Sequence, residues 1–221
     1  MNAVLNPADL GSPTEGLADW IAPGRAALVI IDMQVDFASP EGALGRAGVD
    51  LGAVPAALAA AEQLAEAARA AGVPVIFVGL QTDPGLDSHA WNERMRRRGD
   101  DPGGGLCRAG TPGADFVGPK PADGELVIAK LRYSAFFGTD LDGELTRRGI
   151  DTVVVCGLTT ECCIDSSVRD AFHLDYHVFI AGDACAAYEP DLHAGALKSL
   201  ELNCAILVDT AEVIGAWAEA V

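Results

Sequence analysis

The run Asp151-Thr152-Val153-Val154-Val155-Cys156-Gly157-Leu158-Thr159-Thr160-Glu161-Cys162-Cys163 decides the fold. Its first half is a short β-branched apolar segment bounded by turn residues, the pattern of a parallel strand buried on both faces. The segment from Ile164 to Phe172 has apolar residues at 164, 168, 171 and 172, which is helical spacing. Thr160 reads as the N-cap, with Glu161 in the first turn. Cys163 is thereby expected at the start of a helix, at the carboxyl end of a strand, where open α/β sheets bind ligands. Unpaired helix N–H groups there lower a thiol's pKa and receive a developing oxyanion. The competing reading is a buried small hydrophobe, and Cys156 and Cys162 read that way.

Working outward, the same grammar recurs. Ala26 to Ile31 is a continuous apolar run ending in Asp32, a central strand closed by a carboxylate. Val54 to Ala71 is an alanine-rich helix closed by Gly72, and Val73 to Leu80 is the next strand. Glu125 to Lys130 is a strand ending in an ammonium; a helix from about Asp140 to Arg148 comes after it. Tyr176–Ala181 and Cys204–Val208 read as further strands, Asp191–Leu202 and Thr210–Ala220 as helices. Strands alternating with helices predict a three-layer α/β/α, Rossmann-like domain with a mainly parallel six-stranded sheet covered on both faces. Residues 1–24, punctuated by Pro and Gly, read as an N-terminal arm, and 25–221 as one domain. From Gln81 to about Lys120 no long periodicity survives, so a lid or binding loop is expected, with Trp91 and Phe116 as its isolated aromatics.

Composition narrows the function. The chain has 221 residues, is 50% hydrophobic and carries a formal net charge of −17, which argues against a nucleic acid or anionic membrane as partner. No stretch is long and apolar enough for a membrane span, no signal-peptide pattern opens the chain, and a cytoplasmic location is expected. Six cysteines without regular spacing do not resemble a disulfide framework. No CxxC pair or HExxH occurs, so a structural zinc site is not expected.

Three strands end in Asp32, Lys130 and Cys163. In a parallel sheet all carboxyl ends share one edge, so these residues can converge. A lysine favours a thiolate, and a carboxylate can shuttle its proton. Read singly, each has a plain structural explanation; Lys130 alone would be a surface lysine.

Together the segments VIIDMQVDF (29–37), CRAGTPGADF (107–116), AKLRYSAFFGTDLDGEL (129–145) and VVVCGLTTECCIDSSVRDAFHLDY (153–176) resemble the isochorismatase-like superfamily of cysteine hydrolases. That superfamily includes nicotinamidases, N-carbamoylsarcosine amidase, biuret hydrolase and ureidoacrylate amidohydrolase. The resemblance covers nearly all of the chain after the arm, in the expected order and spacing. It implies an Asp-Lys-Cys triad at Asp32, Lys130 and Cys163, a cis Leu158–Thr159 peptide, and an oxyanion hole formed by the backbone N–H groups of Thr159 and Cys163. It implies hydrolysis of a small-molecule amide or ureide C–N bond through a thioester, and a homodimer or homotetramer. The RYSAFFGT and RDAFHLDY segments look closest to the ureide and carbamoyl amide group.

Two departures refine this. Residues 38–60 contain no histidine, whereas nicotinamidases carry an Asp/His metal cluster there, so no metal and no cofactor are expected. Enol-ether hydrolysis, the reaction of isochorismatase proper, is disfavoured because that enzyme lacks the cysteine. Phe37, Gln34, Tyr133, Phe136 and Trp91 are candidates for the substrate pocket. A thiol-redox protein using Cys162 and Cys163, or a silent member kept for binding, are the other classes; turnover of an amide panel separates them from a hydrolase.

Overall fold

The computed structural model describes residues 16–101 and 105–219. Its centre is a sheet of β1 (Ala26–Ile31), β2 (Val75–Leu80), β3 (Leu126–Lys130), β4 (Thr152–Leu158), β5 (His177–Ala186) and β6 (Ile206–Val208). The order is β3-β2-β1-β4-β5-β6, and every neighbouring pair is parallel. All residues of β1, β2 and β4 are buried, as expected of strands covered on both faces.

The helices are α1 (Leu17–Trp20), α2 (Val35–Ala38), α3 (Ala43–Arg46), α4 (Val54–Ala71), α5 (His89–Arg98), α6 (Leu141–Arg147), α7 (Asp165–His173), α8 (Pro190–Asn203) and α9 (Thr210–Glu219). From β1 the chain steps outward through α4 to β2, and from β4 it steps the other way through α7 to β5. Right-handed crossovers therefore place α4 and α7 on opposite faces, giving three layers. α4 packs with α9 and β5, and α7 with α8 and β5. The strand order reverses between β1 and β4, which makes that gap the topological switch point. Asp32 leaves one side of it and Cys163 comes after the other. Among the described residues no helix is long and apolar enough to cross a membrane.

Three sequence expectations need correction. The stretch from 81 to 120 is not all loop, because α5 lies inside it. Ser88 Oγ accepts from Trp91 N–H at 3.2 Å to cap that helix, and Gly99 ends it in the left-handed region at φ 82°. It escaped the hydrophobic pattern because four of its ten residues are arginines. Of the N-terminal arm, residues 1–15 lie outside the described part. From Gly16 onward the chain is packed: Ile21 is fully buried, and its carbonyl accepts from Trp217 Nε1 at 2.8 Å. β5 runs on to Ala186, past the expected end at Ala181, because its register against β4 shifts between Val155 and Gly157 and pairing resumes.

Candidate active site

Asp32 is the residue directly after β1. Its φ is 53°, its N–H donates to Val78 O at 2.9 Å, and its Oδ1 accepts from Leu80 N–H at 2.8 Å. A non-glycine residue in the left-handed region persists only where its surroundings hold it. Gln34 supplies part of that hold. Its Oε1 shares the Leu80 N–H at 2.8 Å, and its Nε2 donates to Leu80 O at 3.0 Å and Ala114 O at 2.7 Å. Lys130, the last residue of β3, reaches across: Nζ lies 2.6 Å from Asp32 Oδ2. The same ammonium donates to Cys163 Sγ at 3.3 Å and Arg132 O at 3.0 Å. One ammonium thus touches both the carboxylate and the sulfur.

Cys163 is held by the turn between β4 and α7. Gly157 has φ 134°, and a Cβ there would sit 2.0 Å from Ile31 O, so only glycine lets β4 approach the end of β1. The Leu158–Thr159 peptide is cis. Thr160–Ile164 forms a π-helical turn before α7 begins, with Ile164 N–H and Cys162 N–H both donating to Thr159 O. π-turns of this kind gather at functional sites. Thr160 is not the cap expected of it; its Oγ1 lies 2.8 Å from His193 Nδ1 and ties the turn to α8. Ser167, which no motif singles out, donates to Cys163 O at 2.6 Å and accepts from Ala135 N–H at 2.8 Å. It locks the turn to the loop after β3.

The electrostatics derive from burial. Burial by itself would push Lys130 down, but Asp32 and Cys163 together more than offset it and hold the ammonium above its ordinary range. The hydrogen bond with Cys162, burial and the negative Asp32 all push the Cys163 thiol well up, against the pull of Lys130. At the sulfur, burial and the carboxylate thus outweigh the lysine. Cys162 moves the other way through the same contact.

Cys163 opens onto a cavity of about 460 Å³. Of the residues expected to line it, Phe37, Tyr133 and Trp91 do, as does Thr159. Gln34 and Phe136 are not on the wall. Gln34 is 1% exposed and committed to backbone partners, and Phe136 packs on Tyr176 with ring centroids 5.8 Å apart. Asp32 and Lys130, each 1% exposed, sit behind the sulfur. Cys162 lines the cavity and is not wholly buried. Sequence reasoning missed Glu161 and Tyr188 on the wall, and Arg94, Met95 and Arg98 beside Trp91 on α5. It also missed Asp36, whose carboxylate accepts from Ala43 N–H at 2.9 Å and Cys107 N–H at 2.7 Å. A Cβ on Gly113 would stand 2.3 Å from that carboxylate, so the segment before β3 folds tightly over it. Among the described residues no group of three His, Cys, Asp or Glu side chains is placed to hold a metal ion.

Comparison with known proteins fits this geometry. The isochorismatase domain profile matches residues 26–212. The ureidoacrylate amidohydrolase RutB of Pseudomonas savastanoi pv. phaseolicola is 37% identical over 180 residues, 76% of this chain and 74% of that one. The RutB of Stutzerimonas stutzeri is 34% identical over 91% of this chain and 85% of its own. Among solved structures, a cysteine hydrolase from Pseudomonas syringae pv. phaseolicola superposes with a TM-score of 0.81 at 28% identity, covering 94% of this chain and 100% of that one. N-carbamoylsarcosine amidase from Thermoplasma acidophilum gives 0.68 at 27% identity, covering 84% and 96%. A carboxylate, an ammonium and a thiol gathered at the carboxyl edge of a six-stranded parallel sheet are thus set in a chain that belongs to the isochorismatase family.

Proposed function

We propose that this protein is a cysteine-dependent hydrolase of small-molecule amides or ureides, with Asp32, Lys130 and Cys163 as its catalytic set. The observation that carries the reading is the Lys130 ammonium touching both Asp32 and Cys163 behind a cavity onto which the sulfur opens. The ureidoacrylate amidohydrolases among its relatives support a ureide or amide as substrate.

In this mechanism Asp32 takes the Cys163 proton as the sulfur attacks the carbonyl carbon. The oxyanion rests on the backbone N–H groups of Thr159 and Cys163. Asp32 returns the proton to the departing nitrogen as the C–N bond breaks, leaving a thioester. Asp32 then deprotonates a water, which attacks the thioester and releases the acid and the free thiol. The positive Lys130 stabilises the thiolate as it forms and keeps Asp32 oriented. Phe37, Tyr133 and Trp91 shape the pocket.

The free state of all six cysteines supports a reducing, cytoplasmic setting. The exposed Leu202, Ile206 and Phe172 beside edge strand β6 support a symmetric homodimer or homotetramer. Light scattering at micromolar concentration tests the assembly. The activity is tested by ammonia or amine release from a panel of ureides and amides, with the acyl-enzyme trapped by acid quench and read as a mass increase on the peptide carrying Cys163. No turnover of any member by the folded wild type overturns the reading.

A further inference from the structure

Glu161 stands in the π-helical turn, two positions before Cys163, and lines the cavity onto which the sulfur opens. One of its oxygens is engaged: Oε1 accepts from Thr159 Oγ1 at 2.9 Å. The other is not. Oε2 is buried and has no hydrogen-bond donor among the described residues. Arg94 and Arg98 line the same cavity, but among the described residues neither forms an ion pair with Glu161, and Arg98 is paired with Asp100 at 3.1 Å. A carboxylate oxygen withdrawn from water without a donor is costly, so Oε2 is matched to a donor that enters with the cavity's occupant. Its place decides which donor. In the mechanism above, the substrate's carbonyl oxygen rests on the N–H groups of Thr159 and Cys163. Glu161 is hydrogen-bonded to the first of these residues and two positions from the second, which sets it beside the substituents of that carbonyl carbon. The leaving nitrogen takes its proton from Asp32, behind the sulfur. What remains for Glu161 is the substituent that stays on the acyl carbon. In a carboxamide that substituent is carbon, with no hydrogen to donate; in a ureide it is a second nitrogen bearing N–H.

We propose that Glu161 determines specificity: Oε1 holds the Thr159 hydroxyl while Oε2 accepts the N–H of the nitrogen retained on the acyl carbon, so that the enzyme prefers ureides to carboxamides. The assignment rests on the hydrolase reading above and names the substrate class within it. The end torsion of a glutamate side chain is soft, and a small turn presents Oε2 to the substrate. The retained N–H stays in place as the C–S bond forms and the C–N bond to the other nitrogen breaks. Water then cleaves the resulting carbamoyl thioester to a carbamic acid and the free thiol, and the carbamic acid decomposes to carbon dioxide and an amine or ammonia. A site that leaves an acceptor unpaired when the N–H is missing discriminates against the analogue lacking it.

The test uses 4-nitrophenylurea and 4-nitroacetanilide, which share a leaving group and differ in carrying an amino group or a methyl group on the carbonyl. Methylurea and N-methylacetamide form a smaller matched pair, and amine release is followed for the full chain. Ureas and amides differ in intrinsic reactivity, so each variant's urea-to-amide ratio of kcat/KM is divided by the wild-type ratio. Glu161→Gln should lower that ratio about tenfold or more, the range of a hydrogen bond to a charged group. Thr159→Val, which removes the hydroxyl donor to Oε1, should slow both members in step. Binding is read apart from turnover by ligand-observed NMR on Cys163→Ala, which should hold methylurea several-fold more tightly than N-methylacetamide. Adding Glu161→Gln to that variant should make the two affinities alike. The proposal is overturned if Glu161→Gln slows urea and amide in step, which would leave the residue a support for Thr159. Equal affinity of Cys163→Ala for the pair overturns it as well, and decides the matter where wild type turns over neither pair. Turnover of carboxamides with every ureide refused also overturns it while leaving the hydrolase reading intact. Failure of wild type on every ureide and amide would remove the parent reading, and this one with it.

Discussion

Lys130 Nζ and Asp32 Oδ2 meet 2.6 Å apart, with side-chain exposures of 0% and 1%. Two opposite charges so fully removed from water each have the other as counter-ion. Removing one partner leaves the second charged and unsolvated. Lys130→Met is therefore expected to lower unfolding free energy by roughly 3–5 kcal/mol and turnover by orders of magnitude. It should also slow iodoacetamide labelling of Cys163 and raise its pH midpoint, because the one group pulling the thiol down is gone. Urea unfolding and labelling across pH check both. Normal turnover with an unshifted midpoint would leave Lys130 a structural residue.

Cys162 and Cys163 are neighbours that both line the cavity, but only Cys163 Sγ accepts from the Lys130 ammonium, at 3.3 Å. Cys163→Ala should abolish turnover while the fold persists, and Cys162→Ala should keep a substantial fraction. Equal loss of activity from both folded variants would remove the assignment to 163.

Much of this arrangement is legible in the sequence because it depends on strand ends. Apolar runs closed by Asp32 and Lys130, and a β-branched run leading through Gly157 to Cys163, define one sheet edge from the order of residues alone. The helix α4 is bounded correctly by its alanines and by Gly72. Residues acting through backbone groups are not legible. Gln34 reads as a pocket residue, yet its amide is spent on Leu80 and Ala114. Asp36 looks like part of a motif, and its partners at positions 43 and 107 are distant in sequence. α5 is hidden because its inner face is half arginine, so hydrophobic periodicity cannot reveal it.

Buried thiols make the protein sensitive to base. Burial holds Cys185 at about 12 and also pushes up Cys107 and Cys156. In the unfolded chain these thiols ionise near a pKa of about 8.5. As pH rises the unfolded state loses protons first, so it is the state favoured. Stability from these groups should be complete below about pH 8.5 and decline progressively toward pH 12. Urea midpoints at neutral pH and at successive alkaline values should fall, and Cys185→Ala should flatten the slope. A flat profile would show that the thiols remain accessible to water.

At Gly157 the geometry leaves no room for a side chain, since a Cβ would lie 2.0 Å from Ile31 O at a φ of 134°. Gly157→Ala should force β1 and β4 apart and cost about 3 kcal/mol or more. Thermal unfolding should show the loss, together with reduced turnover in the fraction that folds. A variant with wild-type melting would mean that the strands can part freely at this point.

α5 is suspended between two anchorages. Asp36 fixes Cys107 and Ala43 from beneath, and Thr82 exchanges backbone hydrogen bonds with the 107–109 strip, Thr82 N–H to Cys107 O at 3.0 Å and Ala109 N–H to Thr82 O at 3.1 Å. The insert is thus clamped where it leaves the sheet and where it returns, while the helix hangs between the clamps. Changes along the inner side of that helix need not disturb Asp32, Lys130 or Cys163, which belong to the sheet edge. The ten residues of α5 are thus a part of the cavity wall that can vary while the sheet edge beneath it stays as it is.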